Sequence, residues 1–359
     1  MSQPNAETPP RPWEHDWPAD GLEAQDRCPV CVSTGREPLH PELRDRIFFS
    51  AIGRWAMQRC LGCRAGYLDP RPTPAAIGLA YTAYYTHAAP ADDSYMSSFT
   101  FVGGRFKALR NAWLNGRFPR LGLSPALPFG GSLLELFPRT CILAERDVRH
   151  LPAPAGGARL VDIGCGSGAF VKRAEVLGYA AEGLEFDGSA VEAARNAGLN
   201  VRQGSLPETG LADGAYEAVT LSQVIEHLHD PLAALRDIFR ILKAGGLFWL
   251  ATPNMNSAGH GWFGADWRGL EPPRHLVLFS PEALQLALEK AGFVDVRFRP
   301  PGDTAIFFFE ASRRIADGLP PGTPVSLGAK EQAEVKRIDA LARRDARAGE
   351  ELVVTARRP

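Results

Sequence analysis

Four of the six cysteines stand as two C-x-x-C pairs, Cys28/Cys31 and Cys60/Cys63, separated by residues 32–59. Thiolates spaced this way in a chain without secretory features are metal ligands before they are disulfides. A tetrahedral zinc site made of four cysteines needs two short knuckles brought together by an intervening hairpin. A segment of this size cannot bury a sufficient core without such a staple, so a closed, structural Zn2+ is expected. Cys141 and Cys165 are solitary.

The second cluster is "RLVDIGCGSGAF", Arg159 to Phe170, with Gly164, Gly166 and Gly168 after an apolar strand. Glycines free of Cβ atoms let a loop lie flat against a nucleotide. Glu185 ends the next strand, where a carboxylate can accept hydrogen bonds from both ribose hydroxyls. The letters also fit G-x-G-x-x-A ending at Ala169, so a dinucleotide such as NAD stays open on the loop alone. Asp162 bears on the choice. An acid two residues before the first glycine repels a pyrophosphate but suits the ammonium and sulfonium of S-adenosylmethionine. Two histidines, whose ordinary pKa near neutrality suits proton removal, stand where an acceptor would lie. His227 follows Glu226 just past the fourth strand, and His275 adjoins Arg274 in "WRGLEPPRHLVLFS".

These groups need an α/β scaffold. From Ala158 the pattern alternates strand and helix, which predicts a parallel sheet with helices on both faces. The strands are "RLVDI", "AAEGLE", "NVRQ", "YEAVTLS", "GLFWLAT" and "VDVRF". Between them, the helix after strand two carries Ser189-x-x-Glu192, a capping box. The next opens with Asp230 as N-cap and Pro231 as first helical residue. Its expected buried stripe is Leu232, Leu235, Phe239 and Leu242, ending at Gly245. Residues 303–348 read as a helical excursion, and "EELVVTARR" as a final strand slotting into the sheet. The expected organisation is a disordered leader over 1–24, a zinc-binding module over 25–72, a helical cap and linker over 73–157, and a nucleotide-binding domain over 158–359. Residues 75–98 suggest a helix followed by a loop. Residues 97–122 combine aromatics with Arg105, Lys107, Arg110, Arg117 and Arg120. That segment is either a cap over a phosphate-bearing acceptor or membrane surface, or an amphipathic helix packed on the sheet with its charges in water.

Composition narrows the classes. The 359 residues are 45% hydrophobic and 23% charged with formal net charge −1, so no global field recruits nucleic acid or anionic membrane. No apolar run reaches the ~18–20 residues that span a bilayer. The polar, proline-rich start lacks the apolar core of a signal peptide, and the expected location is the cytoplasm.

"LVDIGCGSGAF", "GLEFD", "QVIEHLHDP" and "ILKAGGLFWLATPN" together resemble the motifs of class I S-adenosylmethionine-dependent methyltransferases. They are similar to the small-molecule group that includes the ubiquinone-pathway O-methyltransferases, over about residues 158–300. The resemblance implies a Rossmann-like seven-stranded sheet whose last strand is antiparallel. It implies that Asp162, Gly164, Gly166 and Gly168 form the loop at the methionine end. Glu185 would hold the ribose, Gly204, Ser205 and Leu206 would lie by the adenine, and Ser222 would close the cofactor site. Relatives commonly have Asp where Ser205 stands. On the acceptor side it implies His227 or His275 as general base, with Glu226 and Arg274 contacting substrate. Some of the group carry an E-x-x-E-H metal site. Gln223 replaces the first acid here, and a neutral amide is a poor ligand for a hard cation, so no catalytic metal is expected. The N-P-P-aromatic signature of base-amine methylation is absent, and no nucleic acid is expected. With the zinc knuckles in front, the chain is similar to a bacterial group associated with modified sugars and surface glycans, and in part to deoxysugar C-methyltransferases. The expected activity is methyl transfer from S-adenosylmethionine to a small molecule, saccharide or glycolipid, at oxygen. The alternatives are a zinc-ribbon binding protein without turnover and an NAD-dependent sugar-modifying enzyme.

Overall fold

Trp13 and Trp17, inside the stretch expected to be a disordered leader, are buried. The computed structural model describes residues 11–82, 104–128 and 131–359, so the predicted helix and loop of 75–98 and the start of the basic segment fall largely outside it. From residue 11 the leader is folded through two single 3-10 turns. Trp17 meets Trp55 edge-on with centroids 5.0 Å apart, and Trp13 lies 5.6 Å from Phe49. Aromatic burial of this size fixes a segment that has no periodicity of its own, which is why composition concealed it.

The chain continues through β1 (Leu22–Glu23), β2 (Arg36–Leu43), β3 (Trp55–Cys60), β4 (Gly66–Leu68) and β5 (Arg71–Pro72). Strands β2, β3 and β4 form an antiparallel ribbon, and β1 pairs with β5 across its base. Helices α1 (Gly104–Arg117), α2 (Gly131–Leu134) and α3 (Pro138–Asp147) follow. Leu109, Leu114, Ala144 and Val148 pack here against Leu160 and Phe170 of the domain that comes next. Of the basic segment, Arg110 is buried and Arg117 is paired with Glu145. The helix packs on the sheet with Arg110 inside and Arg117 half-buried, while Lys107 and Arg120 stay exposed.

The α/β domain runs β6 (Arg159–Ile163), α4 (Ala169–Leu177), β7 (Ala180–Glu185), α5 (Gly188–Asn196), β8 (Val201–Gln203), β9 (Tyr216–Ser222), α6 (Pro231–Ile241) and β10 (Leu242–Pro253). It continues with α7 (Ala258–Phe263), β11 (Val277–Leu278), α8 (Pro281–Lys290), β12 (Val294–Arg299), α9 (Ala305–Ala316), α10 (Ala329–Ala342) and β13 (Glu351–Arg357). Seven strands form one sheet in the order β12-β13-β10-β9-β6-β7-β8, and β13 is antiparallel to both neighbours. The C-terminal strand therefore sits where expected, after a helical excursion. Two local expectations change. The N-cap of α5 is Asp187, whose carboxylate accepts from the amides of Ser189 and Ala190; the capping box on Ser189 does not form. The stripe of α6 is Ala234, Leu235, Ile238 and Ile241, with Leu232 and Phe239 only half-buried. That helix ends at Ile241 because Leu242 already pairs with Tyr216 as strand.

The four-cysteine ribbon is welded to this domain. Its fourth strand is β11, which follows the fifth parallel strand of the large sheet: Val277 pairs with Tyr67 and Leu278 with Gly66. Met57, Tyr67 and Leu68 share one core with Ile225, Leu276 and Phe279. At the seam Arg274 meets Asp45 at 2.8 Å, both side chains without exposed surface. Asp45 also accepts from the amides of Phe48, Ser50 and Ala51. Burial alone would raise its carboxyl, but Arg274 and these amides outweigh that and hold it below the ordinary range. Among the described residues no helix is long and apolar enough to cross a membrane. Removing one partner of a buried pair strands the other charge, at a cost of about 3–5 kcal/mol. Asp45→Ala should lose about that much stability in urea unfolding, and a loss below about 1 kcal/mol would mean the pair does not hold the seam.

Candidate active site

The glycine loop leaves β6 at Gly164, which has φ +69° and where a Cβ would meet Val224 at 2.3 Å. Its amide donates to the Leu184 carbonyl at 2.7 Å. Gly168, at φ +85°, caps α4 and abuts Leu199, where a Cβ would come within 2.5 Å. Only glycine fits both places. Their roles differ: Gly164 and Gly166 line a cavity of about 540 Å3, whereas Gly168 is set back and serves helix packing, not a ligand.

That cavity opens beyond the C-terminal ends of β6, β7 and β9, where ligands of open α/β sheets bind. Glu185, Gly204, Ser205 and Leu206 line it as expected. Glu185 is nearly buried; its carboxylate accepts from the Gly166 amide at 2.8 Å and the Phe186 amide at 2.9 Å. The exposed Phe186 ring and the half-buried Tyr81 ring also line it, and the sequence did not single them out. Asp162, like Gly168, stays out of this cavity. It is buried, accepts from the Thr220 hydroxyl at 2.7 Å and pairs with Arg149. The Arg149 guanidinium lies 3.6 Å from the Phe170 ring centre. The negative charge is thus neutralised beneath the loop, and Asp162 does not line the cavity.

A second cavity of about 460 Å3 shares Gln223 and His227 with the first. Ser222 falls on this side, not on the cofactor side. Arg146, Arg268, Phe307, Phe308 and Glu351 complete much of its wall. None of these was legible beforehand, because they come from α3, the post-β10 loop, α9 and the start of β13. Gln223 stands at the junction with φ +56°, an uncommon conformation for a residue with a side chain. Its amide donates to Glu351. No residue of 104–128 lines either cavity.

The two histidines face each other, ring centres 4.7 Å apart and nearly perpendicular. His227 Nδ1 lies 3.0 Å from the Arg274 carbonyl and 3.0 Å from the Tyr81 hydroxyl. A carbonyl only accepts, so Nδ1 carries the proton and Nε2 keeps its lone pair. His275 is tied in the same way, its Nδ1 2.7 Å from the Gly269 carbonyl. Burial lowers His227 to about 4 and His275 to about 3, against a partly compensating Glu271. Both are neutral bases at physiological pH. Glu271 itself is held below the carboxylate range: Arg268, His275 and Arg274 overcome its burial.

Glu226 and Arg274 do not reach an acceptor. Arg274 has no exposed surface and gives its donors to Asp45, Glu271 and the Ala80 carbonyl. Its part in the site is its own carbonyl, which fixes His227. Glu226 is fully buried and accepts from Thr252 at 2.9 Å. One carboxylate oxygen of Glu226 and one ring nitrogen each of His227 and His275 lie within 4.8 Å of one another. Burial raises the Glu226 carboxyl to about 8, well above the ordinary carboxylate range.

Away from these cavities, the Sγ atoms of Cys28, Cys31, Cys60 and Cys63 all fall within 4.8 Å of one another. Cys28 and Cys63 are 3.6 Å apart, and Cys31 and Cys60 3.3 Å. A tetrahedron of ~2.3 Å zinc–sulfur bonds has edges of about 3.8 Å, so the four sulfurs fit a zinc ion with only small adjustments.

Comparison with known proteins follows the same division. Residues 139–297 match a family described as a methyltransferase domain, a span that begins within α3. A probable S-adenosylmethionine-dependent methyltransferase of Mycolicibacterium smegmatis is 34% identical over 147 residues, covering 40% of this chain and 55% of that protein. A ubiquinone biosynthesis O-methyltransferase of Xanthomonas oryzae pv. oryzae is 33% identical over 161 residues, covering 43% and 61%. One from Bordetella avium is 24% identical over 192 residues, covering 46% and 80%. The chain thus spans little more than half the length of the first relative.

The buried acid gives a pH signature. Glu226 binds a proton in the fold up to about pH 8 that an ordinary glutamate, near 4.5, releases. Stability should therefore decline as pH rises from about 4.5 to about 8, and Glu226→Gln should flatten that decline. Urea midpoints measured across the window check it; parallel curves for the two proteins would contradict it.

Proposed function

We propose that this chain, which carries a methyltransferase domain over residues 139–297, transfers a methyl group from S-adenosylmethionine to a small-molecule or saccharide acceptor, at oxygen. The observation that carries the proposal is the pair of cavities that share Gln223 and His227. One has the walls for a nucleoside, with glycine backbone at one end and Glu185 at the ribose position. Open space around Gly166 leaves room for a ligand against its backbone. The other has room for an acceptor.

When bound, the cofactor supplies a methyl group on a sulfonium that is already an electrophile. The protein's task is alignment, exclusion of water and removal of one proton. His227 is the base favoured by position, because it lines both cavities while His275 lines only the acceptor side. Its Nε2 lone pair takes the acceptor's hydroxyl proton as the oxygen–carbon bond forms and the carbon–sulfur bond breaks. The Arg274 carbonyl holds the tautomer, and His275 restricts the ring from the side. The acceptor wall combines Phe307 and Phe308 with Arg146 and Arg268 and with the carboxylates of Glu271, Asp303 and Glu351, which suits a partly apolar, polyhydroxylated acceptor such as a saccharide. The zinc ribbon has a structural role, holding the loop that carries Arg274 and His275.

Calorimetry should detect S-adenosylmethionine and S-adenosylhomocysteine but not NADH, and Glu185→Ala should weaken both by about tenfold or more. Binding of neither ligand would end the enzyme reading. His227→Ala should lower turnover by about 10²–10⁴-fold with cofactor affinity nearly unchanged; an equal loss in His275→Ala alone would move the base there. Because burial keeps His227 unprotonated down to about pH 4, turnover should stay level between about pH 5 and 7. An acid limb centred near 6.5 would contradict this assignment. Radiolabelled methyl transfer onto nucleotide sugars, glycolipids and small phenols would identify the acceptor.

A further inference from the structure

On the sheet face covered by α1 and α3 lies a groove that shares no residue with the cofactor or acceptor cavities. It consists of two adjoining cavities of about 280 and 310 Å3, which have Arg117, His150 and Arg299 in common. Arg297 and Arg357 complete its positive wall. The side chain of Arg297, on the edge strand β12, has no ion pair or hydrogen bond among the described residues. Arg299 gives only its Nε to the Thr355 hydroxyl, at 3.0 Å. Arg357 gives one amino group to the Gly245 carbonyl. Arg117 is held in place by Glu145 and the Leu151 carbonyl and stacks 5.2 Å from the Trp113 ring centre. Against four guanidiniums the walls offer two carboxylates, Asp295 and the already paired Glu145. The shortfall shows in Arg299, whose basicity is lowered by burial and by Arg297, with Arg117 and Arg357 adding to it against Glu145.

His150 adds a neutral donor. The Trp249 indole donates to its Nδ1 at 3.3 Å, so the ring proton sits on Nε2 in a side chain that lines both cavities. Guanidiniums converging without counter-charge repel one another. They are stabilised by a ligand that accepts several forked N–H donors at once, which a tetrahedral oxyanion does better than a single carboxylate.

We propose that this groove is a binding site for an oxyanion of the phosphate class, either free or as the end of an organic phosphate, engaged by Arg297, Arg299, Arg357 and the His150 Nε2–H. It is separate from the methyl-transfer site and does not depend on that assignment.

The test is calorimetric titration of the full chain with orthophosphate and, separately, a sugar 1-phosphate, at ionic strength held constant with chloride. Saturable binding of one equivalent is expected, accompanied by a shift of the His150 ring resonances in NMR. Arg297→Ala, at an exposed position, and Arg297→Ala/Arg299→Ala should weaken binding by about tenfold per lost charge-assisted contact, with circular dichroism and S-adenosylmethionine binding unchanged. Orthophosphate as tight as the sugar phosphate identifies the free ion as ligand, and a marked preference for the sugar phosphate identifies the organic form. No saturable binding of either, or undiminished binding by the correctly folded variants, would overturn the proposal.

Discussion

Arg274 and Asp45 stand 229 residues apart and meet at 2.8 Å with no exposed side-chain surface on either. Taking two charges out of water costs several kcal/mol for each ion and is repaid only when geometry and further hydrogen bonds are good. Here both conditions hold. Asp45 is wrapped by backbone amides of its own turn, and Arg274 reaches Glu271 and the Ala80 carbonyl besides. The pair joins the four-cysteine ribbon to the loop after β10, and that loop carries the carbonyl that holds His227, the His275 ring and the β11 strand that completes the ribbon sheet. A ribbon that looks like an N-terminal appendage along the chain is part of the frame of the acceptor cavity.

The same seam explains the electrostatics of the site. Burial removes the charge from His227, His275 and Glu226, while Glu271 keeps its own because three cationic or imidazole neighbours surround it. Two neutral imidazoles with fixed tautomers each keep a lone pair at neutral pH, and Arg274, whose carbonyl fixes one of them, lines neither cavity. Arg274 therefore shapes the site through its backbone and its packing, which its side-chain type does not advertise. Asp162 tells a similar story on the cofactor side: its charge is met by Arg149 under the loop and never reaches the cavity.

How much was legible follows from how local each signal is. The glycine loop, the acid ending β7, the caps at Asp230 and Pro231, the antiparallel last strand and the four cysteines are written in short spacings, and the fold follows them. The stripe of α6 slipped because the helix gives way to strand at Leu242, which pairing with Tyr216 decides. Residues 11–24 carry no local sign of order because Trp13 and Trp17 gain theirs from partners in the ribbon. Phe307, Phe308 and Glu351 could not be seen as wall residues, since nothing local marks the side of a helix or strand end that another element will face.

By itself the sequence determined the nucleotide-binding sheet, the position of its loop and acid, and a four-thiolate staple, because those depend on backbone conformations and ligand types that only certain residues supply. The tertiary structure decided which side chains reach a cavity. It buried Arg274, Glu226 and Asp162, moved Ser222 to the acceptor side and set His227 between two cavities. Those outcomes rest on contacts between segments distant along the chain, and desolvation acts on a side chain only once such contacts have closed over it.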